Sequence, residues 1–588
     1  MIIAHRVIRR VRSRFVAGLA AALVVSAGVS LPAGAQAEEG SADPPALIPA
    51  PVSMETTSEV FTLGSNSKIT VDPGLPHDPA VSTARQLADF LRTATGYPLP
   101  VARQGWGLQD RPDAPGNSPR NIHLTLTADE ETLGQEGYTL DVYGHGVRLA
   151  AATAEGLFRA TQTLRQLLPA EIEADTVQPG PWTVPGVRIV DYPRYEWRGS
   201  HLDVARHFLT VEEVKRYIDL LALYKVNRFH LHLSDDQGWR IQIDSWPDLT
   251  RIGGSSEVGG GPGGYFTKAD YTEIVEYAAR SYITVVPEID VPGHTNAAEV
   301  SYPELNSCRP GNLPSHRFLS GWEDEPHYTG TGVGFSALCV HDELTYEFMD
   351  DVIREISEIT PGPYFHAGGD EAFQTSDEDY VMFMDRVRDM VEDNGKTMMG
   401  WAEIAQSNPL PGSVAQHWST ATGGGSGGNL ARMAVAKDMN VVMSPANRIY
   451  LDMKYAPGVP PDLGLTWAGT VEVMRSYDWN PGAHINGVTD EDILGVEAPL
   501  WTETILDIDD AEHMAYPRMA GVAEIGWTPQ SARDWEDYRL RLAAQAERWD
   551  VLDVNYYRSP QVPWPLQTEE GPFSTLLQVR EFTIGSGP

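Results

Sequence analysis

Short apolar runs recur along the chain after residue 195, and amphipathic helical stretches separate them. Several of these runs end in an acid, a histidine or a tryptophan. Regular alternation of strand and helix is typical of a parallel sheet, and eight repeats are the number that closes a (β/α)8, or TIM, barrel. The predicted strands are residues 200–203, 229–234, 283–288, 364–369, 397–401, 414–418, 440–444 and 493–501.

A helix-start signal lies between the first two predicted strands. Thr210 and Glu213 have the spacing of a capping box, which predicts a helix from there to about Tyr224. The alternative fold is a doubly wound open sheet, which would need a glycine-rich nucleotide turn after its first strand. Residues 202–206 are Leu-Asp-Val-Ala-Arg and do not have that composition. We therefore predict an α/β fold with a (β/α)8 barrel, whose catalytic groups lie where the strands end.

A chain of 588 residues is longer than one hydrophobic core usually serves, so a second domain is expected. Ahead of the barrel, helical spacing over 81–95 and 154–168 and strand-like alternation over 138–149 predict a small α+β domain. Proline-rich residues 179–193 close it. The predicted divisions are a signal peptide (1–37), a linker (38–51), an N-terminal non-catalytic α+β domain (52–193), a catalytic barrel (194–555) and a C-terminal tail (556–588).

The first 37 residues have the features of a secretion signal. Residues 5–14 carry five arginines and no acid, and residues 15–29 are mostly Ala, Val, Leu and Gly. Ala35-Gln36-Ala37 then supplies the small-x-small motif of a cleavage site. The alternative is a membrane anchor, but the apolar run is short for a bilayer span of about 20 residues. We expect a secreted protein that is free of the membrane after cleavage near Ala37.

The chain is strongly acidic, with a formal net charge of -37 at pH 7. Such a surface repels phosphate backbones and anionic lipid, so neither nucleic acid nor a membrane surface is expected as a partner. The two cysteines, Cys308 and Cys339, are expected to form a disulfide in an exported protein, because two thiolates fall short of a structural zinc shell.

Two adjacent carboxyls follow the fourth predicted strand. Asp370 and Glu371 come directly after Gly368 and Gly369, which let the backbone turn and a ligand approach closely. Neighbours on an extended segment point to opposite sides and so meet different environments, which suits two carboxyls with different roles. An Asp-Glu pair is often only a solvated loop. Its place at a strand end behind two glycines favours a catalytic site.

A second cluster of polar residues is a candidate metal site. His230 and His232 share one face of a predicted strand, Asp235 and Asp236 follow it, and His294 follows the next strand. Such a set could bind a metal on a barrel, as in metal-dependent amidohydrolases. A histidine pair inside a barrel can also be purely structural, so the metal site is kept as an alternative.

Four tryptophans form the third feature. Trp401, Trp418 and Trp501 lie at or next to predicted strand ends, and Trp467 lies in the loop before the last strand. A single tryptophan is usually part of a core. Several that converge on one barrel mouth make an apolar wall that can hold the flat face of a sugar or a methyl group.

Five motifs in this order resemble the family 20 glycoside hydrolases, the β-N-acetylhexosaminidases, and their bacterial, actinomycete-type members most of all. The motifs are Trp-Arg-Gly at 197–199, Leu-Asp-x-x-Arg-His-Phe at 202–208, His-Leu-Ser-Asp-Asp-Gln-Gly-Trp-Arg at 232–240, Pro-Glu-Ile-Asp-x-Pro-Gly-His at 287–294 and His-x-Gly-Gly-Asp-Glu at 366–371. The resemblance runs from about residue 52 to residue 549 and includes the family's non-catalytic α+β domain.

The resemblance implies a retaining enzyme that removes terminal N-acetylhexosamine residues without a metal or cofactor. In this family the substrate's own acetamide oxygen attacks the anomeric carbon and forms an oxazolinium intermediate. By similarity, Glu371 is the general acid and then the base, and Asp370 orients the acetamide and stabilises the positive charge. Tyr450 would hold the acetamide oxygen.

The resemblance also assigns the remaining candidate residues. Asp235 and His294 match a dyad that supports the acid, and Arg206 matches the arginine that binds the 3- and 4-hydroxyls. Asp452 and Glu503 match groups that hold the 4- and 6-hydroxyls. The aromatic walls of the sugar site would be Trp401, Trp418, Trp467 and Trp501.

Three functions are weighed on these grounds. The first is an exo-acting β-N-acetylhexosaminidase with a small oligosaccharide or glycoconjugate as substrate. The second is a metal-dependent hydrolase on the same barrel, with His230 and His232 as ligands. The third is a non-catalytic sugar-binding protein, against which the presence of both Asp370 and Glu371 argues. The sequence distinguishes neither chitin fragments from glycan termini nor gluco from galacto substrates, and it leaves the oligomeric state open.

Overall fold

The computed structural model describes residues 44–566, apart from 74–78, 107–119, 128–129, 310, 312, 314, 319–326 and 422–425. The predicted signal peptide lies outside the described residues, as do residues 38–43 of the predicted linker and residues 567–588 of the predicted tail. Within the described part, no helix combines the length and apolar character that a membrane span requires.

The front domain is a seven-stranded sheet with two long helices on one face. The strand order is β1-β7-β5-β6-β4-β2-β3. Its elements are β1 (Ser53–Leu63), β2 (Ile69–Val71), α1 (Pro79–Thr95), β3 (Val101–Arg103), β4 (Asn121–Leu126), α2 (Glu130–Leu133), β5 (Tyr138–Tyr143), β6 (Gly146–Ala151), α3 (Ala154–Leu167) and β7 (Trp182–Asp191).

Alternation along the strands separates the two faces of this sheet. Ile122 and Leu124 of β4, and Val147 and Leu149 of β6, join the core that α1 and α3 cover. The residues between them point to the opposite face. The predicted helices and the predicted hairpin of this domain are present within one or two residues of the expected bounds.

Two segments differ from the prediction. Residues 179–193 were expected to close the domain as a proline-rich segment, but Trp182–Asp191 is a strand that pairs with both β1 and β5. Residues 44–51 were expected to be linker, but Leu47 and Ile48 are buried, and the Gln166 side chain bonds to the backbone of Ile48 at both its N–H and its carbonyl. Burial of two large apolar side chains fixes this stretch.

The second part of the chain is a closed barrel of eight parallel strands, in the order β12-β13-β14-β15-β16-β17-β8-β9, as predicted. Its elements are β8 (Trp197–Asp203), α4 (Val211–Leu223), β9 (Arg228–His232), β10 (Ser234–Asp235), β11 (Gly238–Trp239), α5 (Lys268–Arg280), β12 (Thr284–Glu288), α6 (Asn296–Ser301), α7 (Glu343–Glu358), β13 (Tyr364–His366), α8 (Asp377–Asp393), β14 (Thr397–Trp401), β15 (Val414–His417), α9 (Ser426–Ala436), β16 (Asn440–Met443), α10 (Ala446–Ile449), α11 (Val473–Tyr477), β17 (Ile493–Leu500), α12 (Ile508–Ala515), α13 (Arg518–Trp527), α14 (Trp535–Ala544) and α15 (Ala546–Val551).

The capping box predicted from Thr210 and Glu213 is present at the start of α4. The Glu213 carboxylate accepts from the Thr210 backbone N–H at 2.7 Å, and the Glu213 backbone N–H donates to the Thr210 hydroxyl at 3.4 Å. Both bonds satisfy N–H groups that a helix start leaves without an intrahelical partner. The cap fixes where the helix between β8 and β9 begins, and so helps to set the first βα unit of the barrel.

The interior of the barrel is layered. An apolar layer contains Trp197, Val286, Met399, Val414 and Val442. Above it, toward the carboxyl ends of the strands, lies a buried polar layer centred on two glutamates, Glu288 and Glu497. The polar layer lies directly beneath the residues at the carboxyl ends of the strands.

The predicted tail does not begin where the barrel ends. Tyr556 and Val562 are buried in the barrel core, so the chain stays packed against the barrel beyond residue 555. The predicted boundary was wrong for these residues because a short apolar segment outside any helix or strand has no periodicity to reveal its burial.

Cys308 and Cys339 form a disulfide, with their Cα atoms 5.4 Å apart. Cys339 lies just before α7, and Cys308 follows the short helical turn after α6. The two cysteines are 31 positions apart in the sequence. Thiol titration of the denatured, unreduced protein is expected to find no free thiol. Two free thiols per chain would show that the crosslink does not form.

Candidate active site

The turn after β13 brings the two adjacent acids to the mouth of the barrel. Gly368 and Gly369 have positive φ values of 59° and 104°. A Cβ on Gly368 would lie 1.8 Å from a carboxylate oxygen of Asp290, and the Gly369 N–H donates to that same oxygen at 3.0 Å. Only glycine fits this turn, and Asp290 anchors it. Strand β13 was expected to run to residue 369 but ends at His366, because these glycines leave the extended conformation.

Glu371 lies beside an imidazole that another carboxylate holds. His294 Nε2 is 3.5 Å from Glu371 Oε2, and His294 Nδ1 is 3.1 Å from Asp235 Oδ1. Burial disfavours a charged imidazole, but the negative charges of Asp235 and Asp290 raise the pKa of His294 well above its usual value. The protonated ring therefore presents its Nε2–H toward the Glu371 carboxyl.

Asp235 is the buried partner that fixes this imidazole. Burial alone would raise its pKa, yet Arg206 and His294 hold the pKa of Asp235 well below its usual value. Arg206 Nη2 lies 2.7 Å from Asp235 Oδ2, and His232 Nε2 lies 2.9 Å from the same oxygen. The predicted dyad of Asp235 and His294 is thus one segment of a larger charged network.

Asp370 is nearly fully buried and only partly satisfied. Its Oδ2 lies 4.0 Å from His294 Nε2, and its Oδ1 has no hydrogen-bond partner among the described residues. Burial raises the pKa of Asp370 to about 6, with the Glu371 charge adding to the rise and His294 opposing it. A buried acceptor without a partner is costly, so this oxygen is suited to a donor or a positive charge on a ligand.

A cavity of about 400 Å³ contains most of the predicted site. Its size and its mixture of aromatic and charged walls are typical of a small-molecule site. The predicted residues that line it are Arg206, Asp235, His294, Asp370, Glu371, Trp418, Tyr450, Trp467, Trp501 and Glu503. Residues that the sequence analysis did not single out as site residues are Asp290, Thr331, Val333 and Leu465.

Aromatic rings form the apolar side of this cavity. The Tyr450 ring lies 5.7 Å from Trp467 and 6.4 Å from Trp501, and Trp467 lies 6.0 Å from Trp418. Trp467 is 53% exposed and stands at the rim. Trp401 has no exposed surface and does not line the cavity. It lies behind Trp501, at a ring distance of 5.6 Å.

Two carboxyls mark the polar end of the cavity: Glu503 lines it together with Arg206, and the buried Asp452 lies behind the lining, where the charge of Glu503 acts on it. Both oxygens of Asp452 and Oε2 of Glu503 have no hydrogen-bond partner among the described residues. Burial and the Glu503 charge raise the pKa of Asp452 well above its usual value, and burial also raises the pKa of Glu503. Asp452 is buried and lies outside the cavity lining. Acceptors without partners beside an arginine are suited to sugar hydroxyls.

His230 and His232 point into the barrel, where carboxylates engage both nitrogens of each ring. His230 lies 2.8 Å from Glu497 and 3.0 Å from Glu288, and His232 lies 2.6 Å from Glu288. Although burial opposes the charge, Glu288 and Glu497 raise the pKa of His230 to about 9. Both rings therefore have carboxylate partners inside the barrel, which is what a structural role for the pair requires.

Glu403 is a half-buried carboxyl that the sequence analysis missed. It follows β14, and its Oε2 accepts a hydrogen bond from Trp418 Nε1 at 3.1 Å. Burial, followed by the charge of Asp370, raises the pKa of Glu403 to about 7. The one signal in the sequence was its place two residues after Trp401 at a strand end. The contact makes Glu403 the group that orients the Trp418 ring.

Removing this acceptor should therefore slow a reaction in the cavity, which the resemblance found in the sequence implies is the hydrolysis of β-N-acetylhexosaminides. We expect Glu403→Leu to lower kcat/KM on an aryl β-N-acetylglucosaminide by about tenfold, the effect of losing one charge-assisted hydrogen bond. Glu403→Gln keeps an oxygen acceptor and serves as the matched control, with a loss of about threefold or less. In a Trp418→Phe background, which lacks the donor, Glu403→Leu should add little. Equal effects in both backgrounds would show that Glu403 acts by another route.

Comparisons with known proteins agree on one family. The model of the glycosyl hydrolase family 20 catalytic domain matches residues 195–530, and that of domain 2 of this family matches residues 44–192. A β-N-acetylhexosaminidase of Cellulomonas fimi is 41% identical over 525 residues, which are 88% of this chain and 97% of that protein.

Two solved structures give the same result. The GH20 β-N-acetylhexosaminidase from Streptomyces coelicolor is 50% identical with a TM-score of 0.81, over 89% of this chain and 99% of that one. A mutant Streptomyces plicatus β-hexosaminidase in complex with product (GlcNAc) is 49% identical, also with a TM-score of 0.81, over 89% of this chain and 98% of that one.

A TIM barrel whose strand ends carry an acid supported by an imidazole, beside an aromatic-walled cavity, defines a glycoside hydrolase. The chain belongs to glycosyl hydrolase family 20. The predicted family and the predicted β-N-acetylhexosaminidase activity are confirmed. The roles assigned to single residues stay predictions, and the geometry above shows where each of those residues lies.

Proposed function

We propose that this enzyme removes single β-linked N-acetylhexosamine residues from the non-reducing ends of short oligosaccharides or glycoconjugates, with Glu371 as acid and base and Asp370 as the partner of the substrate acetamide. The observation that carries the proposal is the close pair of acids. Oxygen atoms of Asp370, Glu371 and His294 Nε2 lie within 4.8 Å of one another. This closeness lets one bound sugar meet both carboxyls, Glu371 at its glycosidic oxygen and Asp370 at its 2-acetamido group.

The cavity accommodates the steps of that reaction. Glu371 gives its proton to the glycosidic oxygen while the acetamide oxygen attacks the anomeric carbon, so the aglycone leaves as an alcohol. Asp370 accepts the acetamide N–H and faces the positive charge of the oxazolinium ion. Glu371, now ionised and supported by His294, takes a proton from water. The water oxygen then bonds to the anomeric carbon. The bond from that carbon to the acetamide oxygen breaks, which opens the oxazolinium ring and restores the acetamide.

The aromatic walls support an N-acetylated substrate. Trp418, Tyr450 and Trp501 line one cavity together with Asp370, so an acetamide that reaches Asp370 has apolar rings beside its methyl group. In this proposal the hydroxyl of Tyr450, which lines the same cavity, donates to the acetamide oxygen. Arg206 and Glu503 occupy the polar end of the cavity and fit the hydroxyls of the same sugar. Short chitin fragments are one substrate of this class.

The proposal is tested with a matched set of aryl β-glycosides: N-acetylglucosaminide, N-acetylgalactosaminide and glucoside. We expect turnover of an N-acetylated substrate, no measurable turnover of the glucoside, and a β-configured first product by NMR. Incubation with a chelator should leave the rate unchanged. Comparable turnover of the glucoside, an α-configured first product, or loss of activity that zinc restores would contradict the mechanism. Tight sugar binding without any turnover would favour the binding-protein alternative.

We also propose that the enzyme is secreted and that a signal peptidase cleaves it near Ala37. The arginine-rich start, the apolar stretch and the small-x-small motif support export. The Cys308–Cys339 disulfide supports an oxidising compartment. Intact-mass measurement of protein from the culture medium should give a chain that begins at residue 38, and a chain that begins at Met1 would overturn the proposal.

A further inference from the structure

We infer that the front domain carries a second sugar-binding site, formed where Trp106 lies over the helix-free face of the sheet beside Asp72, Thr125 and Arg148. This site would hold a neutral sugar ring of the substrate chain at a distance from the catalytic cavity. The choice of N-acetylhexosamine oligomers as ligand rests on the proposed function. The site itself rests on the residues of the front domain.

The face opposite α1 and α3 has an unusual composition. On β4, Ile122 and Leu124 point to the helices, so His123 and Thr125 point away from them. A sheet face without helices is normally solvated, yet His123 is only 1% exposed. Its Nδ1 is 2.9 Å from the Thr70 hydroxyl, and its Nε2 is 3.5 Å from an Asp72 oxygen. Some group must therefore cover this face.

Trp106 provides the cover. Its ring lies 5.5 Å from His123, 6.3 Å from Tyr143 and 6.4 Å from His145. Gly146, the first residue of β6, also lies against the indole, because a Cβ added there would lie 3.1 Å from the Trp106 ring. The missing side chain lets the indole lie close to the backbone of β6. The Tyr143 and His145 rings stack at 5.3 Å and extend the aromatic surface.

Among the residues that the structure describes, the indole does not fill the space over this face. Trp106 stays partly exposed, and a cavity of about 360 Å³ remains beside it. Polar groups of both kinds line this cavity, since Asp72 can accept hydrogen bonds and Arg148 can donate them. The Thr125 hydroxyl donates to the Asp72 carboxylate, and the Asp72 side chain is still 47% exposed. A tryptophan that served only as a lid would leave no such space.

These groups fit a neutral sugar better than other ligands. A pyranose ring has an apolar C–H face for the indole and hydroxyls at its edge for a carboxylate and a guanidinium. The carboxylate of Asp72 in the cavity, together with a net charge of -37 for the chain, disfavours phosphates and nucleic acid. The volume admits about one sugar ring. A soluble polymer end or an insoluble chain could therefore be held there while the barrel trims another end.

The test uses the full secreted chain with its catalytic cavity blocked by a thiazoline analogue of the oxazolinium ion. Binding to insoluble chitin is measured by depletion from solution, and binding to soluble chitotetraose by calorimetry. We expect the blocked wild-type protein to bind both, and Trp106→Ala to weaken that binding by about five- to tenfold, as expected for the loss of one aromatic contact. Turnover of a small aryl glycoside should be unchanged in this variant.

Two further variants keep the result interpretable. Arg148→Met retains the hydrocarbon chain but not the donors, and should also weaken binding. Tyr265→Ala removes an exposed aromatic ring that lines neither this cavity nor the catalytic cavity, and should bind normally. Absence of binding in the blocked wild-type protein, or equal binding by Trp106→Ala and wild type, would overturn the second site. Failure of the proposed function would appear separately, as an enzyme that neither cleaves the aryl glycoside nor binds the thiazoline.

Discussion

Replacing Glu371 by glutamine is expected to lower kcat/KM for chitobiose by about 10²–10⁴-fold, because the leaving sugar is a poor leaving group and needs a proton as the bond breaks. An aryl glycoside with an acidic phenol needs little protonation, so its glycosylation step should slow far less. Single-turnover and steady-state rates on both substrates measure this difference. The glutamine keeps the shape of the side chain beside His294, so the cavity is preserved.

The contrast between the two substrates is what identifies the acid. A residue that merely shaped the cavity would reduce both rates by the same factor. External azide provides a second reading, because a small nucleophile needs no general base and should rescue the second step with the aryl substrate. Equal losses on both substrates, without rescue, would mean that Glu371 is not the acid.

Most of the barrel could be predicted from sequence because its signal is repeated. Each βα unit contributes a short apolar run and a helix with its own periodicity, so an error in one unit does not change the fold. Strand ends were the weak point. The β13 strand was predicted three residues too long, because Gly368 and Gly369 adopt positive φ values that an apolar run does not reveal.

Strand β7 was missed for a physical reason. Pro185 and the prolines before it are ordinarily signs of a turn, since proline lacks the N–H that a ladder needs. Pro185 faces Val60 of β1 next to an irregularity in that ladder, between Thr56 and Val60, so its missing donor costs little there. Pairing of this kind depends on two segments more than a hundred residues apart, and no local pattern contains it.

The site was predicted as a set of residues, and its layering was not. Twelve residues were assigned to the site from their strand-end positions and the family resemblance, and ten of them line one cavity. The sequence could not place Trp401 behind Trp501, because both are tryptophans at strand ends. Nor could it pair Glu403 with Trp418, since that contact joins neighbouring strand ends through side-chain directions alone. Contacts between a site residue and the residue that supports it, such as these two, depend on three-dimensional packing.

Asp370→Asn is expected to have the largest effect on the attack by the acetamide, because Asp370 is the proposed partner of that group. We expect kcat/KM on the aryl β-N-acetylglucosaminide to fall by about 10²–10³-fold, the size expected for losing one preorganised charge. The variant should also bind the thiazoline analogue far more weakly, because the protein no longer has the Asp370 carboxylate that faces the positive ring of the analogue. Initial rates and inhibition constants from the same preparations give both numbers.

The pH dependence of kcat/KM is an independent test of the role of Asp370. Burial raises the pKa of Asp370 to about 6, so the carboxylate is lost as the pH falls through that value. Wild-type kcat/KM should therefore decrease on the acid side near pH 6, and the asparagine variant, which has no proton to gain, should lack that decrease. If Asp370 only braced the turn, Asn would be nearly neutral in rate, inhibitor affinity and pH profile. If Asp370 were itself the nucleophile, a fluorinated glycoside would trap a covalent sugar on it, and such an adduct would exclude attack by the acetamide.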